Sequence, residues 1–188
     1  MRPFPTAVAL AVLLTVAGCA PPAADPGVAN RTEPADVPFL AAMVAHHDRT
    51  RVLAAEAAGR IVDPELRTLV AAIDATEADE VATMRRWLAD APADTAPHHG
   101  HHGTSTAAAP DPDLARLRSA AVGRFDAVLV DVLTAHQRRA AALARAHLPV
   151  AAGPEVRALA DRVERSRTAQ LKLLSGLPAT RPPPGPKR

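Results

Sequence analysis

The sequence predicts an all-α fold, an antiparallel four-helix bundle made of two repeated helical hairpins. The first observation is a repeat: the segment 43–47, Met-Val-Ala-His-His, recurs in weakened form at 132–136, Val-Leu-Thr-Ala-His. The second is that each copy is followed, after a run of small residues, by a helix start of the type Pro-Glu-apolar-Arg, at Pro64 and at Pro154. Apolar residues recur at helical spacing around these points, and short connections make each pair of helices an antiparallel hairpin.

The first 18 residues predict an export signal. Arg2 precedes an apolar run over residues 7–16 that is too short to span a bilayer, and small residues lead to Cys19. The segment Val-Ala-Gly-Cys at 16–19 is typical of a bacterial lipobox, in which the cysteine sulfur receives a lipid. We therefore expect export to the cell envelope and a lipid on Cys19 that anchors the chain to the outer face of a membrane; an ordinary secretory signal is the alternative. Cys19 is the only cysteine, so neither a disulfide nor a thiolate metal site is expected.

The bundle domain is predicted over residues 36–177, with repeat one at 36–90. Residues 19–35, rich in Pro and Ala without periodicity, predict a flexible tether in front of it. Asp63-Pro64-Glu65 begins the second helix with a cap, a proline at the first helical position and an early carboxylate. The predicted buried stripes of repeat one are Phe39, Leu40, Met43, Val44, His47, Leu53, Ala54 and Ala57, then Leu66, Leu69, Val70, Ile73, Val81, Met84 and Leu88.

Repeat two is predicted over residues 113–177, after a linker at 91–112 that shows no periodicity. A short helix begins at Asp113 and a break follows near Gly123. The fourth long helix begins at Gly153-Pro154-Glu155 and ends at Ser175-Gly176, and the Pro-rich tail 178–188 is expected to be extended and disordered. The predicted buried stripes are Phe125, Val128, Leu129, Val132, Leu133, His136 and Leu143, then Val156, Leu159, Val163, Leu171 and Leu174.

Composition gives no support to nucleic-acid binding. The chain has 22 basic and 20 acidic side chains, so its charge is close to balanced and no basic surface is indicated. Three Phe, one Trp and no Tyr leave little for base stacking. Abundant Ala and Leu instead favour closely packed helices.

A histidine cluster on the first helix predicts a metal site. Met43 stands three residues before His46 and four before His47, so the three side chains lie near one patch of helix surface. A thioether beside two imidazoles suits copper first, with zinc or nickel less favoured. His136, at the position predicted to match His47, would join them in the core. The alternative interpretation is that Met43 is core filler and the two histidines are a boundary pair.

Carboxylates on the second helix are weaker candidate ligands. Met84 lies on the predicted buried stripe, and Glu77 and Glu80 lie on the same face or its edge. A buried carboxylate is costly unless it is paired or binds a metal ion. Arg167 stands opposite Glu77 in the repeat, and Gln170 stands opposite Glu80. An ion pair between Glu77 and Arg167 is therefore the alternative, and it would remove Glu77 from the ligand set.

The linker carries four further candidate ligands within five residues. Imidazoles on a flexible backbone can wrap a divalent ion without a folded scaffold. Histidine-rich linkers also arise as solvated low-complexity sequence that takes up nickel, zinc or copper adventitiously, and this alternative stays open. The four residues are His98, His99, His101 and His102.

These stretches resemble the bacterial "domain of unknown function 305" family. Its members often duplicate a hairpin reading Met-Ile-x-His-His, then Pro-Glu-Leu-Arg, then Gln-x-x-Glu-Ile-x-x-Met-x-x-Trp-Leu, which matches residues 43–47, 64–67 and 77–88 here. The resemblance covers roughly residues 39–174 and implies a ferritin-like four-helix bundle, exported to the envelope, with copper bound through Met and His in some members. In the second half Ala135 replaces the first histidine, and Val132 and Leu174 replace methionines.

The expected function is an envelope-anchored lipoprotein that binds or buffers copper. The alternative is a metal-free structural or interaction lipoprotein, for which exposed pairs such as Arg85-Arg86 and Arg138-Arg139 would matter more; the protein partner is not predicted. Catalysis is not expected. Di-iron enzymes of this fold need a Glu-x-x-His pair on each of two helices, and no Glu or Asp in the chain has a histidine three residues later.

Overall fold

The computed structural model describes residues 32–92 and 111–178. Five α-helices follow one another in this part of the chain, and it contains no β-strand. They are α1 (Val37–Ala57), α2 (Pro64–Ala89), α3 (Pro112–Ser119), α4 (Phe125–His147) and α5 (Pro154–Gly176). The predicted signal with Cys19, residues 19–31 of the predicted tether, the histidines of the linker and the tail from residue 179 lie outside the described residues. The end of the predicted tether, residues 32–35, is not a free segment, because Thr32 Oγ1 donates to the carbonyl oxygen of Trp87 at 2.6 Å and Pro34–Asp36 form a 3-10 turn before α1.

The helix starts are set by local sequence. Asp63 caps α2, with its carboxylate accepting hydrogen bonds from the backbone N–H of Glu65 at 2.8 Å and of Leu66 at 3.1 Å. Asp111 caps α3 in the same way, at 2.9 and 3.2 Å. A proline lies in the first turn of α1, α2, α3 and α5, where its missing N–H costs nothing.

The four long helices form the predicted antiparallel bundle of two hairpins. Helix α1 packs along α2, and α4 packs along α5. Helix α4 begins at the end of the bundle opposite to that where α2 ends, because Asp126 in its first turn contacts Asp63 at the start of α2. The short helix α3 lies between the two hairpins in sequence and packs on α1 and α4. No helix among the described residues is long and apolar enough to cross a membrane.

Two apolar clusters fill the bundle, one towards each end. One contains Leu53, Leu66, Leu117 and Phe125, and the other contains Leu40, Met43, Met84 and Leu159. Most of the predicted buried stripe is buried. Six predicted core residues are instead only half-buried, at the edges of the stripes: Val44, Leu69, Leu88, Val128, Leu143 and Leu171.

Each hairpin holds the interhelix loop of the other with a carboxylate. Asp36 accepts hydrogen bonds from the backbone N–H of Ala152 at 3.1 Å and of Gly153 at 2.7 Å, in the loop between α4 and α5. Asp126 accepts from the N–H of Val62 at 3.2 Å and of Asp63 at 2.8 Å, in the loop between α1 and α2. The two halves are thus tied reciprocally across a pseudo-twofold axis.

The arginines of the repeated Pro-Glu-apolar-Arg motif close these same loops. Arg67 donates to the carbonyl oxygen of Ile61 at 2.5 Å, and Arg157 donates to the carbonyl oxygen of Ala151 at 2.6 Å. The carbonyl oxygens at the C-terminal end of a helix and in the loop after it lack intrahelical donors, and a guanidinium satisfies them. The Pro-Glu pair of the motif therefore begins the helix, and its arginine stabilises the loop before that helix.

These paired contacts correct the predicted register of the repeat. Equivalent residues of the two hairpins, such as Asp36 and Asp126, lie 90 positions apart, not the 89 that the match of 43–47 with 132–136 implied. One residue on a helix is a rotation of about 100°. His136 is therefore the counterpart of His46, not of His47, and Ala135 does not replace the first histidine. Gln137 is the counterpart of His47, and Leu133, not Val132, is the counterpart of Met43.

Removal of the Asp36 carboxylate should destabilise the bundle more than removal of the Asp126 carboxylate. Asp36 is completely buried and also accepts from His147 Nε2 at 2.8 Å, whereas Asp126 is only half-buried. We expect D36A to lower the free energy of unfolding by about 2–4 kcal/mol and D126A by about 1 kcal/mol, because buried donors lose their partner. Urea unfolding measures both. D131A, at an exposed position of α4, is the control and should stay within about 0.5 kcal/mol of the parent.

Candidate functional site

A cluster of charged and polar side chains lies at the middle of the bundle, between the two apolar clusters. His47 from α1 donates from Nε2 to Glu80 Oε2 of α2 at 2.8 Å. Arg167 from α5 donates to the same Glu80 oxygen, and its Nη2 lies 3.2 Å from His47 Nε2. His47 and Arg167 are completely buried. Side chains of three helices are thus joined at one carboxylate oxygen.

Glu77 lies on the inner side of this cluster and is also completely buried. Its Oε1 accepts from Gln137 Nε2 at 3.1 Å and lies 3.6 Å from Arg167 Nε. Its Oε2 lies 3.7 Å from His47 Nδ1, and neither of these two atoms has a hydrogen-bond partner. Burial raises the pKa of the Glu77 carboxyl, and the charges of His47 and Arg167 oppose that rise.

The cluster follows the pseudo-twofold axis, but its charges differ between the two halves. At a repeat distance of 90 residues, the contact between His47 and Arg167 is the counterpart of the hydrogen bond between Gln137 and Glu77. Glu77 and Arg167 are themselves equivalent and meet across the axis. The second hairpin therefore supplies a cation where the first supplies an anion, which makes the buried pair possible.

A pair of stacked imidazoles lies beside the cluster. The rings of His46 and His136 are 5.2 Å apart between centroids and are inclined by 29°, and the ring of His47 lies 6.1 Å from that of His46. His46 donates from Nε2 to the carbonyl oxygen of His136 at 3.1 Å. In a neutral ring this leaves the lone pair on Nδ1. Equivalent histidines of the two repeats thus meet near the pseudo-twofold axis.

Burial favours the neutral form of both imidazoles of the pair. Burial, and then the neighbouring His136, lowers the pKa of His46 to about 4. Burial also lowers the pKa of His136, against the raising effect of the Asp113 carboxylate. Thr50 Oγ1 lies 3.3 Å from His136 Nδ1, and Asp113 Oδ2 lies 3.3 Å from His136 Nε2. The neutral form is the one that can bind a metal ion.

A protein-family model described as "Domain of unknown function (DUF305)" matches residues 36–177. The chain belongs to the DUF305 family. A solved structure, the crystal structure of a DUF305 fragment from Deinococcus radiodurans, aligns with a TM-score of 0.62 at 22% sequence identity, covering 78% of this chain and 96% of that one. At this identity the likeness concerns the fold, and it agrees with the helical bundle. A search of the curated proteins finds no match.

This DUF305 chain divides the predicted ligands among three surroundings. Met43 and Met84 are completely buried in the apolar cluster with Leu40 and Leu159. His47 lies with Glu77 and Glu80 in the charged cluster, and His46 stacks on His136. Within residues 32–92 and 111–178, no group of three or more His, Cys, Asp or Glu side chains is placed so as to hold a metal ion. The alternative ion pair between Glu77 and Arg167 is present.

The linker of this DUF305 chain returns to the bundle beside the imidazole pair. Asp111, where the described chain resumes, accepts a hydrogen bond from Arg49 Nη2 at 2.7 Å. Asp113, two residues on, contacts His136. His98, His99, His101 and His102 lie outside the described residues.

Sequence analysis alone does not single out the fourth buried histidine, His147, or the partners of the stacked pair. His147 donates to Asp36 and stacks on Phe39 with ring centroids 4.1 Å apart. Asp113, Thr50 and Gln137 were also not singled out. The cap sequence Asp111-Pro112-Asp113 signals a helix start, but nothing in it indicates that Asp113 faces a histidine 23 residues later. Only the packing of α3 on α4 creates that contact.

The stability of the bundle should fall below neutral pH through His46. Its folded pKa of about 4 lies below the usual histidine value of 6.5, so the unfolded chain binds the proton more tightly. This contribution is complete above pH 6.5 and is lost as the pH falls towards 4. Between pH 7 and pH 5 it corresponds to about 2 kcal/mol.

Urea unfolding of the parent and of H46Q at both pH values measures this contribution. Glu77 acts in the opposite sense, because a raised carboxyl pKa favours folding at low pH. Since H46Q keeps Glu77, the difference between the two pH dependences isolates His46. An H46Q variant as sensitive to pH as the parent would contradict the assignment.

Proposed function

We propose that this protein is an envelope-anchored lipoprotein that binds copper at the imidazole pair His46 and His136. The lipid on Cys19 would hold the bundle at the outer face of a membrane, and the protein would bind or buffer the ion without catalysing a reaction. The observation that carries the proposal is the meeting of equivalent histidines from two repeats with ring centroids 5.2 Å apart.

The chemistry of the pair fits copper. Imidazole nitrogen is a ligand that copper accepts in both oxidation states, and copper(II) binds nitrogen sites more strongly than other divalent ions of the first transition row. The lowered pKa of both rings reduces the competition of protons for their nitrogens at neutral pH. Asp113, already beside His136, fixes that ring from outside as carboxylates often do for metal-binding histidines.

The charged cluster does not fit a metal ion. The guanidinium of Arg167 lies among His47, Glu77 and Glu80, and its fixed positive charge would repel a cation there. The buried thioethers of Met43 and Met84 face apolar neighbours. The proposed copper site therefore does not include the predicted ligands of the charged cluster or the two methionines, and we assign these residues to the interior of the bundle: His47, Glu77, Glu80, Met43 and Met84.

The linker histidines would deliver copper to the pair. Their chain enters the structure at Asp111, which Arg49 holds, and Arg49 lies about one helical turn from His46. Four imidazoles within five residues can capture an ion loosely.

Copper titration of the untagged chain lacking residues 1–19 tests the proposal. To separate the two groups of imidazoles, the four linker histidines are replaced by Ser. We expect this variant to keep one copper per chain, measured by equilibrium dialysis and elemental analysis. H46Q/H136Q in the same background should lose at least about tenfold in affinity, because both nitrogen ligands are gone.

H147Q is the matched control for that experiment. It replaces another buried histidine that pairs with Asp36 and leaves the stacked pair intact. It should bind copper as the parent does. If the linker variant takes up the same amount of copper with and without His46 and His136, the site does not exist.

The second candidate function is a metal-free interaction lipoprotein. The presence of Arg167 inside the charged cluster favours it, because the bundle then needs no ion for its cohesion. The exposed pairs Arg85-Arg86 and Arg138-Arg139 would offer the interaction surface. Capture of one envelope protein with or without chelator, lost in R138E/R139E, would support this function over the first.

A further inference from the structure

Arg167 is unusual among the arginines of the described residues, because its side chain is completely buried. Its counterpart in the first repeat is Glu77, so the duplication has placed a cation and an anion at equivalent positions. A buried guanidinium stays charged at every pH that a protein experiences. Its positive charge is therefore a permanent part of the middle of the bundle.

Arg167 is surrounded by side chains of the types that bind cations, although with the guanidinium between them they are not placed to hold a metal ion. Its side chain contacts Glu80 Oε2, Glu77 Oε1 at 3.6 Å and His47 Nε2 at 3.2 Å. On its own helix it donates to Ser166 Oγ at 3.2 Å and to Gln170 Oε1 at 3.5 Å. Two carboxylates and an imidazole are the groups that bind zinc, cobalt and related divalent ions.

The guanidinium satisfies this ligand set only in part. Four buried atoms of the cluster have no hydrogen-bond partner: His47 Nδ1, Glu77 Oε2, Gln137 Oε1 and Arg167 Nε. Three of them are on side chains other than Arg167, and two can act only as acceptors. The N–H groups of the planar guanidinium point in fixed directions and do not reach all of these atoms. A metal cation is spherical and has no such directional limit.

We infer that Arg167 is the resident cation of the central cluster and that it closes a latent site for a divalent ion. The charge that holds Glu77 and Glu80 in the interior is covalently attached to α5, so it cannot dissociate. Metal ions are thereby kept out of the centre, and copper is directed to His46 and His136. This last step rests on the proposed function; the identity of the central cation does not.

The variant R167A, in the untagged chain lacking residues 1–19, tests the inference. Without the guanidinium, two buried carboxylates and His47 remain without a cation, so the midpoint of thermal unfolding should fall below that of the parent. Cobalt(II) at millimolar concentration should raise the midpoint of R167A by about 5 °C or more beyond any rise of the parent, and so should methylguanidinium, because both bind the central cluster only in the folded state. The parent can take up cobalt(II) at His46 and His136, which R167A shares, and it should not respond to methylguanidinium by more than about 1 °C.

Two further variants decide whether the response comes from the central cluster. E77Q/R167A removes one carboxylate and should respond to both cations no more than the parent does, although it keeps every histidine of the linker. R167K keeps a positive charge at the same place and should likewise respond to cobalt(II) no more than the parent does. An R167A protein that folds cooperatively but gains nothing over the parent from either cation would overturn the inference.

If R167A is unfolded without added cation, recovery of the helical circular dichroism signal replaces the melting point. Recovery with cobalt(II) in R167A but not in E77Q/R167A would support the inference, and recovery in neither would overturn it. The copper titration with H46Q/H136Q tests the copper site, and the R167A series tests the central cation. The two proposals can therefore fail independently.

Discussion

The burial of a charged cluster between the two hairpins is the constraint on which the middle of the bundle depends. Glu77 and Glu80 belong to α2, His47 to α1 and Arg167 to α5. Ionised groups removed from water are tolerated only when an opposite charge lies within a few ångströms. The two hairpins must therefore dock in the one register that brings these side chains together. The apolar clusters on either side contribute most of the buried surface. They would tolerate a shift in the register of the two hairpins more easily, because apolar contact has little directional preference.

The two halves of the molecule have kept their symmetry at the ends and lost it in the middle. Asp36 and Asp126 hold equivalent loops, and Arg67 and Arg157 clamp equivalent carbonyl groups. These contacts define the geometry of a hairpin and are the same in both copies. In the middle, Glu77 faces Arg167 and His47 is matched by Gln137. A site placed on a pseudo-twofold axis can diverge in this way, since each half can change one partner without disturbing the loops.

Much of the fold could be predicted from local sequence, because its signals are local. Asp63 followed by Pro64 gave the start of α2, and the apolar stripe gave the buried face of each long helix. The register of the repeat could not be read in the same way. A degenerate five-residue match allowed a shift by one position, and on a helix that shift changes the direction of every side chain by about 100°. His136 was consequently matched with His47, whereas the packed structure stacks it on His46.

The sequence by itself determined the all-α class, the two hairpins and the helix starts. For Glu77 it left two alternatives, a metal ligand or an ion pair. These follow from capping, periodicity and the cost of burying a lone charge, all of which act within one helix or on one residue. The tertiary structure decided that Arg167 is the partner of Glu77 and that His46, not His47, meets its own counterpart. Such pairings join residues some 90 positions apart, and they depend on how two helices face each other, which no local pattern encodes.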